Sequence, residues 1–156
     1  MGYGDPLNSS SELHGRSSID LLARMIYGEA EGESEKGKRG CAFVAKNRKQ
    51  RNSSEFGGGT WEGVLFKGFS GFTSSRALKP DINSQAWKDS LNIAQNLSSK
   101  TNPIGNCLFF NTNSLYARKT RTSNGKEQYT FNGSDYRNVT EKHVIGNHTF
   151  FLVSGY

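Results

Sequence analysis

The sequence predicts an α+β domain, mainly helical, with a small β region toward the C-terminus. Apolar residues recur at helical spacing through roughly the first two-thirds of the 156 residues, and short aromatic and β-branched runs separated by Asn-Gly turn signals follow. Helices first and a sheet last is the order of one α+β unit. A chain of this length buries about two-thirds of its unfolded surface in a single core, which suits one domain.

Residues 1–17, rich in Ser and Gly and without periodicity, read as a flexible N-terminal arm, leaving 18–156 as the folded domain. A first helix is predicted over about 18–30. Ser17 with Asp20 three residues on resembles a capping box, and Ile19, Leu22, Ala23, Ile26 and Ala30 form one stripe. A second helix is predicted from Glu35 to about Arg51, with Gly37, Gly40, Cys41, Val44, Ala45 and Arg48 on or beside one face. The small residues there admit a closely packed neighbour. "NSSEFGGGT" reads as a loop, after which Thr60 can cap the short apolar turn "WEGVLF". "KGFSGFTSSRALKPDIN" reads as a long irregular segment, and loops of that length are often functional. A third helix, about 84–97, places Ala86, Trp87, Ser90, Leu91, Ala94 and Leu97 on one side and ends before Asn102-Pro103. "NCLFFNT" and "NHTFFLV" read as strands, and the segment between them carries the turn signals Asn124-Gly125 and Asn132-Gly133.

Lys and Arg outnumber Asp and Glu by 20 to 14, giving a net charge of +6, which favours encounter with polyanions: nucleic acid, anionic membrane or acidic wall polymers. Cys41 and Cys107 lie in no CxxC or CxxH spacing, so they suggest neither a disulfide framework nor a metal site, and Cys41 is expected to be buried on its helix. The first residues lack a basic region followed by an apolar one, and no run is long enough to cross a bilayer. The expectation is a soluble product made in the cytoplasm without a signal peptide. Pro6 also breaks the myristoylation pattern.

One residue interrupts the first helix's stripe. Glu29 falls roughly 20° from Leu22 around the helix and one turn beyond Ile26, a core-facing position. A carboxyl moved into an apolar wall has its charged form disfavoured, and its pKa rises from about 4.3 toward about 6 to 7, a range useful to a general acid. Alternatively, Gly28 ends the helix and Glu29 opens a solvated acidic run to Glu35. Position alone permits both readings.

"LLARMIYGEAEGE", followed by "GKRGCAFVAKNR", "GFTS", "LFFNTNSLYARK" and "IGNHTFF", resembles the SleB and CwlJ type of cell-wall hydrolase, a spore-cortex-lytic family with relatives among phage lysis proteins. The resemblance runs over about residues 18–153, with its elements in family order. It implies a lysozyme-like, lytic-transglycosylase-like fold that cuts peptidoglycan at the MurNAc to GlcNAc β-1,4 bond, with Glu29 as the catalytic acid. In the lytic transglycosylase mode one glutamate protonates the glycosidic oxygen. Its conjugate base then assists attack of the MurNAc C6 hydroxyl on C1, leaving a 1,6-anhydro end.

A muramidase would instead need a second carboxylate, about 5–5.5 Å away for retention or about 6.5–9.5 Å for inversion. Glu33 is the candidate, with an orienting role as its alternative. Thr73, Asn111, Tyr116, Asn147 and His148 are the residues that the resemblance offers for orienting Glu29 or gripping sugars. Gly71 stands where the family often has Gln, and Glu31 replaces an Arg of the family's "GEARGE".

Three rivals remain. A nucleic-acid-binding module would use the basic helix from Lys36 to Arg51, but no recognition motif accompanies it. A zinc amidase would have to build its site from His14, His143 and His148. A wall-binding protein without chemistry would have little use for Glu29. The resulting expectation is a monomer acting on peptidoglycan without cofactor, metal, nucleic acid or membrane insertion, as a phage endolysin or a cortex-lytic enzyme at the wall.

Overall fold

The structure is a computed structural model that describes residues 2–156. Its helical part is built around α1 (Ser18–Ala30), which is buried from Asp20 to Tyr27 and again at Ala30. The Ser17 hydroxyl caps it, accepting from the Asp20 N–H at 3.2 Å. The second half of the expected capping box is diverted. The buried Asp20 carboxylate instead accepts from the Gly4 N–H, Arg16 Nε and Arg24 Nε, at 2.7, 2.6 and 2.7 Å.

Around α1 pack α2 (Glu35–Arg51), α3 (Trp61–Gly68), α4 (Ser75–Leu78) and α5 (Gln85–Gln95). Ser34, Thr60, Ser74 and Ser84 cap these four helices with their side-chain oxygens. α5 stops two residues short of the sequence expectation, and a 3-10 turn, Leu97–Ser99, continues the chain direction and buries Leu97. The segment expected to be irregular folds into a 3-10 turn, Ser70–Thr73, and α4. Both lie against α1.

Arg24, fully buried on α1, explains how the N-terminal residues are held. Its Nη1 donates to the carbonyls of Ala77 and Leu78, both at 2.9 Å, and its Nη2 donates to the carbonyl of Asp5 at 2.5 Å. A buried guanidinium persists only when its donors are spent in this way. Residues 2–17 are thus packed onto the body, in contrast to the flexible arm expected. Leu7 and Leu13 enter the core, the Leu7 N–H meets the Leu78 carbonyl at 2.9 Å, and His14 stacks on Phe66. Two isolated leucines in a Ser-rich stretch carry no periodicity, which is why the packing was not legible.

The rest of the chain forms a five-stranded antiparallel sheet of β1 (Phe109–Thr112), β2 (Thr120–Ser123), β3 (Lys126–Thr130), β4 (Tyr136–Ile145) and β5 (His148–Val153), ordered β1-β5-β4-β3-β2. Asn124-Gly125 is the two-residue turn of the β2–β3 hairpin, with φ of 53° and 75°. Asn132-Gly133 lies in the β3–β4 loop, where Asn132 Oδ1 accepts from the Ser134 and Asp135 N–H groups. A third turn, Gly146-Asn147, joins β4 to β5 with φ of 58° at Gly146. The short helix α6 (Asn113–Arg118) follows β1. Neither of these last two features was expected.

β5 is buried on both faces, and this joins the two halves of the molecule. Phe150 faces the helices and packs so tightly on α2 that a Cβ at Gly40 would lie 2.6 Å from its ring. Phe151 faces a second cluster with Phe109, Tyr116 and Tyr129. Cys41 and Cys107 are both free and buried. No helix among the described residues is long and apolar enough to cross a membrane.

Replacing Arg24 by Met takes a donor from three carbonyls and leaves Asp20 with one guanidinium fewer. Breaking a buried pair in this way costs about 3–5 kcal/mol, which urea denaturation will measure. Burial tends to raise the Asp20 pKa, but hydrogen bonds from Arg16, Arg24 and the Gly4 N–H, with the charge of Arg24, outweigh it and hold the carboxyl below its ordinary value. The stabilisation from Asp20 is therefore complete above the unfolded-state pKa and is lost as pH falls through the lowered folded value. This acid-labile increment shrinks in Arg24→Met.

Candidate active site

Glu29 lies in the last turn of α1, at the wall of a cleft of about 250 Å³. The helical half contributes Glu29, Arg48 of α2, Gly68 and Ser70, and the sheet half contributes Phe110, Asn111, Thr112, Leu115 and His148. Among these residues Glu29 is the sole carboxylate. A larger hollow of about 360 Å³, between the end of α2 and Tyr156, is lined by no acidic side chain at all.

The carboxylate is positioned from the main chain. The N–H of Gly71 donates to Glu29 Oε1 at 2.7 Å, which is possible because the two segments touch at glycines. A Cβ on Gly28 would lie 2.1 Å from the Gly71 carbonyl oxygen. A Cβ on Gly71 would lie 2.8 Å from the Gly28 backbone and 2.9 Å from Glu29 Cδ. Gly71, read from the sequence as the loss of a family Gln contact, therefore has no room for a side chain and supplies a backbone donor instead.

Arg48 faces the same cleft. Its guanidinium carbon sits 5.1, 4.9 and 5.6 Å from the ring centroids of Phe56, Phe69 and Phe109, and its Nε donates to the Leu108 carbonyl at 2.8 Å. Burial lowers its pKa to about 10, so it remains a cation at neutral pH. For Glu29, burial is the largest influence and raises the pKa, while the Gly71 N–H and the charge of Arg48 act against it. Burial prevails, and the carboxyl holds its proton to a higher pH than a free glutamate.

Glu33 stands apart from this pair. α1 ends at Ala30, and Glu33 belongs to the bend before α2. Its Oε1 accepts from the Asn147 N–H at 2.9 Å and its Oε2 from Asn147 Nδ2 at 3.0 Å. Burial would raise its pKa, but the two Asn147 donors, with His148 and Lys38, reverse the effect and keep it ionised below the usual range. Lys38 also closes the α1–α2 bend by donating to the carbonyls of Glu31 and Glu33. Glu33 and Asn147 thereby clamp the β4–β5 turn to the helices.

The structure sorts the remaining sequence candidates. His148 lines the cleft with its ring edge-on to Phe110. Burial lowers its pKa despite Glu33, whose Oε1 is 3.9 Å from His148 Nδ1, so the imidazole is neutral at pH 7. Asn111 lines the cleft too, with its amide donating to the Tyr129 hydroxyl. Thr73 is exposed at the end of its 3-10 turn and is not among the cleft residues, so the orienting role expected of it falls to the Gly71 N–H. Tyr116 is buried against Tyr129 and Phe151, and its hydroxyl donates to Glu127. It offers no face for stacking on a sugar. Asn147 binds Glu33 rather than Glu29. Sequence reasoning missed Arg48, Ser70, Phe110, Thr112 and Leu115, although Arg48 ends the quoted "KNR" and Phe110 and Thr112 flank Asn111.

No protein-family model and no curated protein matches the sequence. Among solved structures, the chain is similar to the catalytic domain of the germination-specific lytic transglycosylase SleB from Bacillus anthracis. The identity is 24% and the TM-score 0.54, over 89% of this chain and 98% of that one. It is also similar to the catalytic domain of the SleB protein of Bacillus cereus, with 26% identity and a TM-score of 0.51 over 89% of this chain and 94% of that one. The resemblance read from the residues is thus matched in three dimensions: this chain has the fold of the SleB catalytic domains.

Proposed function

We propose that the chain cleaves the glycan strand of peptidoglycan at the MurNAc to GlcNAc β-1,4 bond as a lytic transglycosylase. The observation that carries this reading is a single carboxylate of raised pKa, Glu29, at the wall of a cleft lined by no other acid. The Bacillus anthracis neighbour, described as a lytic transglycosylase, supports it.

Glu29, protonated, donates to the bridging oxygen as the C1–O bond breaks. Its carboxylate then accepts the proton of the MurNAc C6 hydroxyl as that oxygen bonds to C1, so no water is consumed and Glu29 ends protonated again. Arg48 and the Gly71 N–H steady the anionic stage between these two steps. Hydrolysis with Glu33 as second carboxylate finds less support, since both Glu33 oxygens are held by Asn147. The net charge of +6 draws the protein to an anionic wall. Phage-driven lysis and spore cortex breakdown are the settings in which such a cut is used.

Glu29→Gln loses about 10²–10⁴-fold or more of peptidoglycan clearing. A carboxyl with a raised folded pKa makes the fold less stable as pH climbs from the unfolded value through the folded one, because the folded state binds the proton more tightly. Glu29→Gln is therefore at least as stable as wild type at pH 8, which thermal melts will show. If wild type and Glu29→Gln clear walls equally, the assignment of the acid fails.

Activity falls as pH rises through the pKa of Glu29, since the first step needs the proton. Removing the nearby cation in Arg48→Gln displaces that alkaline limb to higher pH in a kcat/KM profile. Mass spectrometry of digested peptidoglycan will find anhydro-MurNAc ends, and reducing MurNAc ends in their place would overturn the transglycosylase assignment.

A further inference from the structure

Away from the Glu29 cleft, three side chains of metal-ligand type converge where the loop before β1 meets β4. Cys107 Sγ, a carboxylate oxygen of Glu141 and a ring nitrogen of His143 all lie within 4.8 Å of one another. Glu141 and His143 are two residues apart on β4 and share one face. Lys142 between them pairs with Glu127 at 3.0 Å. Sequence spacing hid the group, because Cys107 comes from a different segment.

The cluster is held in place from outside. Glu141 Oε2 is 2.8 Å from His143 Nε2, and Glu141 Oε1 accepts from the Asn106 N–H at 3.2 Å. Asn47 of α2 donates to the carbonyls of Gly105 and Cys107, at 3.0 and 2.9 Å, and Asn102 donates to Gly105 at 2.8 Å. Gly105 has φ of 58°, and a Cβ there would lie 2.1 Å from Glu141 Oε2, so the loop rests directly on the carboxylate. Outer contacts of this kind orient ligands in metal centres. Cys107 is fully buried, while the side chains of His143 and Glu141 are 38% and 28% exposed, which gives a cation an entry path.

We propose that Cys107, Glu141 and His143 bind a thiophilic divalent cation, Zn²⁺, with water as the fourth ligand. Sulfur, nitrogen and oxygen donors together suit zinc better than a hard cation such as Mg²⁺ or Ca²⁺. Donors about 2.0–2.3 Å from a tetrahedral zinc lie within about 4 Å of one another, so the cluster needs only a small closure. Cys107 loses its thiol proton to solvent as the S–Zn bond forms, with no change of oxidation state. The thiolate and carboxylate charges then balance the dication. Burial, with the Glu141 charge, pushes the free thiol up to about 12, so metal uptake releases a proton at neutral pH. None of the three residues lines the Glu29 cleft, and the cation serves to pin the loop to β4.

The test uses the whole chain, stripped of metal and titrated with Zn²⁺ or Co²⁺ alone. Zn²⁺ binds at one equivalent with a Kd of about 1 µM or tighter, and at hundred-fold excess over Kd it raises Tm by about 5–10 °C. Co²⁺ gives a thiolate-to-metal charge-transfer band. Cys107→Ser and His143→Gln abolish both effects, and Cys41→Ser retains them. His143 is partly exposed, so His143→Gln keeps the wild-type circular dichroism even if Cys107→Ser does not fold. Absence of the band in wild type, or its survival in His143→Gln, would overturn the proposal.

Discussion

Gly28 and Gly71 bring two stretches of main chain closer together than any side chain would allow, and the environment of Glu29 follows from that contact. With an alanine at either position, the 3-10 turn at Ser70–Thr73 would have to stand off from α1. The Gly71 N–H would then no longer reach the carboxylate that it meets at 2.7 Å. The buried Arg24 acts on the same packing from the other side, since its bonds to Ala77 and Leu78 hold α4, and with it the preceding turn, against α1. A charged residue deep in the helical core and a pair of glycines thus serve one end, which is to fix a backbone donor in front of an acid.

The electrostatics of the cleft are a balance of opposed influences. Burial favours a protonated Glu29, while Arg48 and the Gly71 dipole favour an ionised one. Arg48 is kept from cancelling the effect of burial by the company it keeps, for its guanidinium is spread over three phenylalanine rings. It forms no direct ion pair with Glu29 among the described residues. A cation that is near the carboxyl but not paired with it eases the loss of the proton without forcing it. Glu33, by contrast, is fully committed to two donors on Asn147, and it closes the joint between helices and sheet.

Much of this was written in patterns that a reader of the sequence can use. The bounds of α1 and α2 follow from Ser17, Ser34 and the apolar stripes, and Asn124-Gly125 turned where its conformational preference required. Tyr116 and Asn147 were legible as polar or aromatic groups near the site but not as to their partners, since Glu127 and Glu33 reach them only through the folded sheet. Thr73 was chosen for its hydroxyl, whereas the working donor was the N–H of a glycine, a group that every residue except proline carries. β4 escaped notice because a bulge between Val139 and Glu141 breaks the alternation that would have marked it. The packing of residues 2–17 escaped because it depends on Arg24, whose buried partners lie far along the chain.

The clamp between Glu33 and Asn147 joins residues 114 positions apart, and the cleft draws one wall from α1 and another from β5. On a growing chain α1 is made early, but it has no opposite wall until β5 has been synthesised and has paired with β1 and β4. Contacts this distant in sequence form late and together. A nascent or truncated chain ending before β5 would therefore carry Glu29 without its cleft, so the carboxyl acquires its buried setting only once β5 has been made.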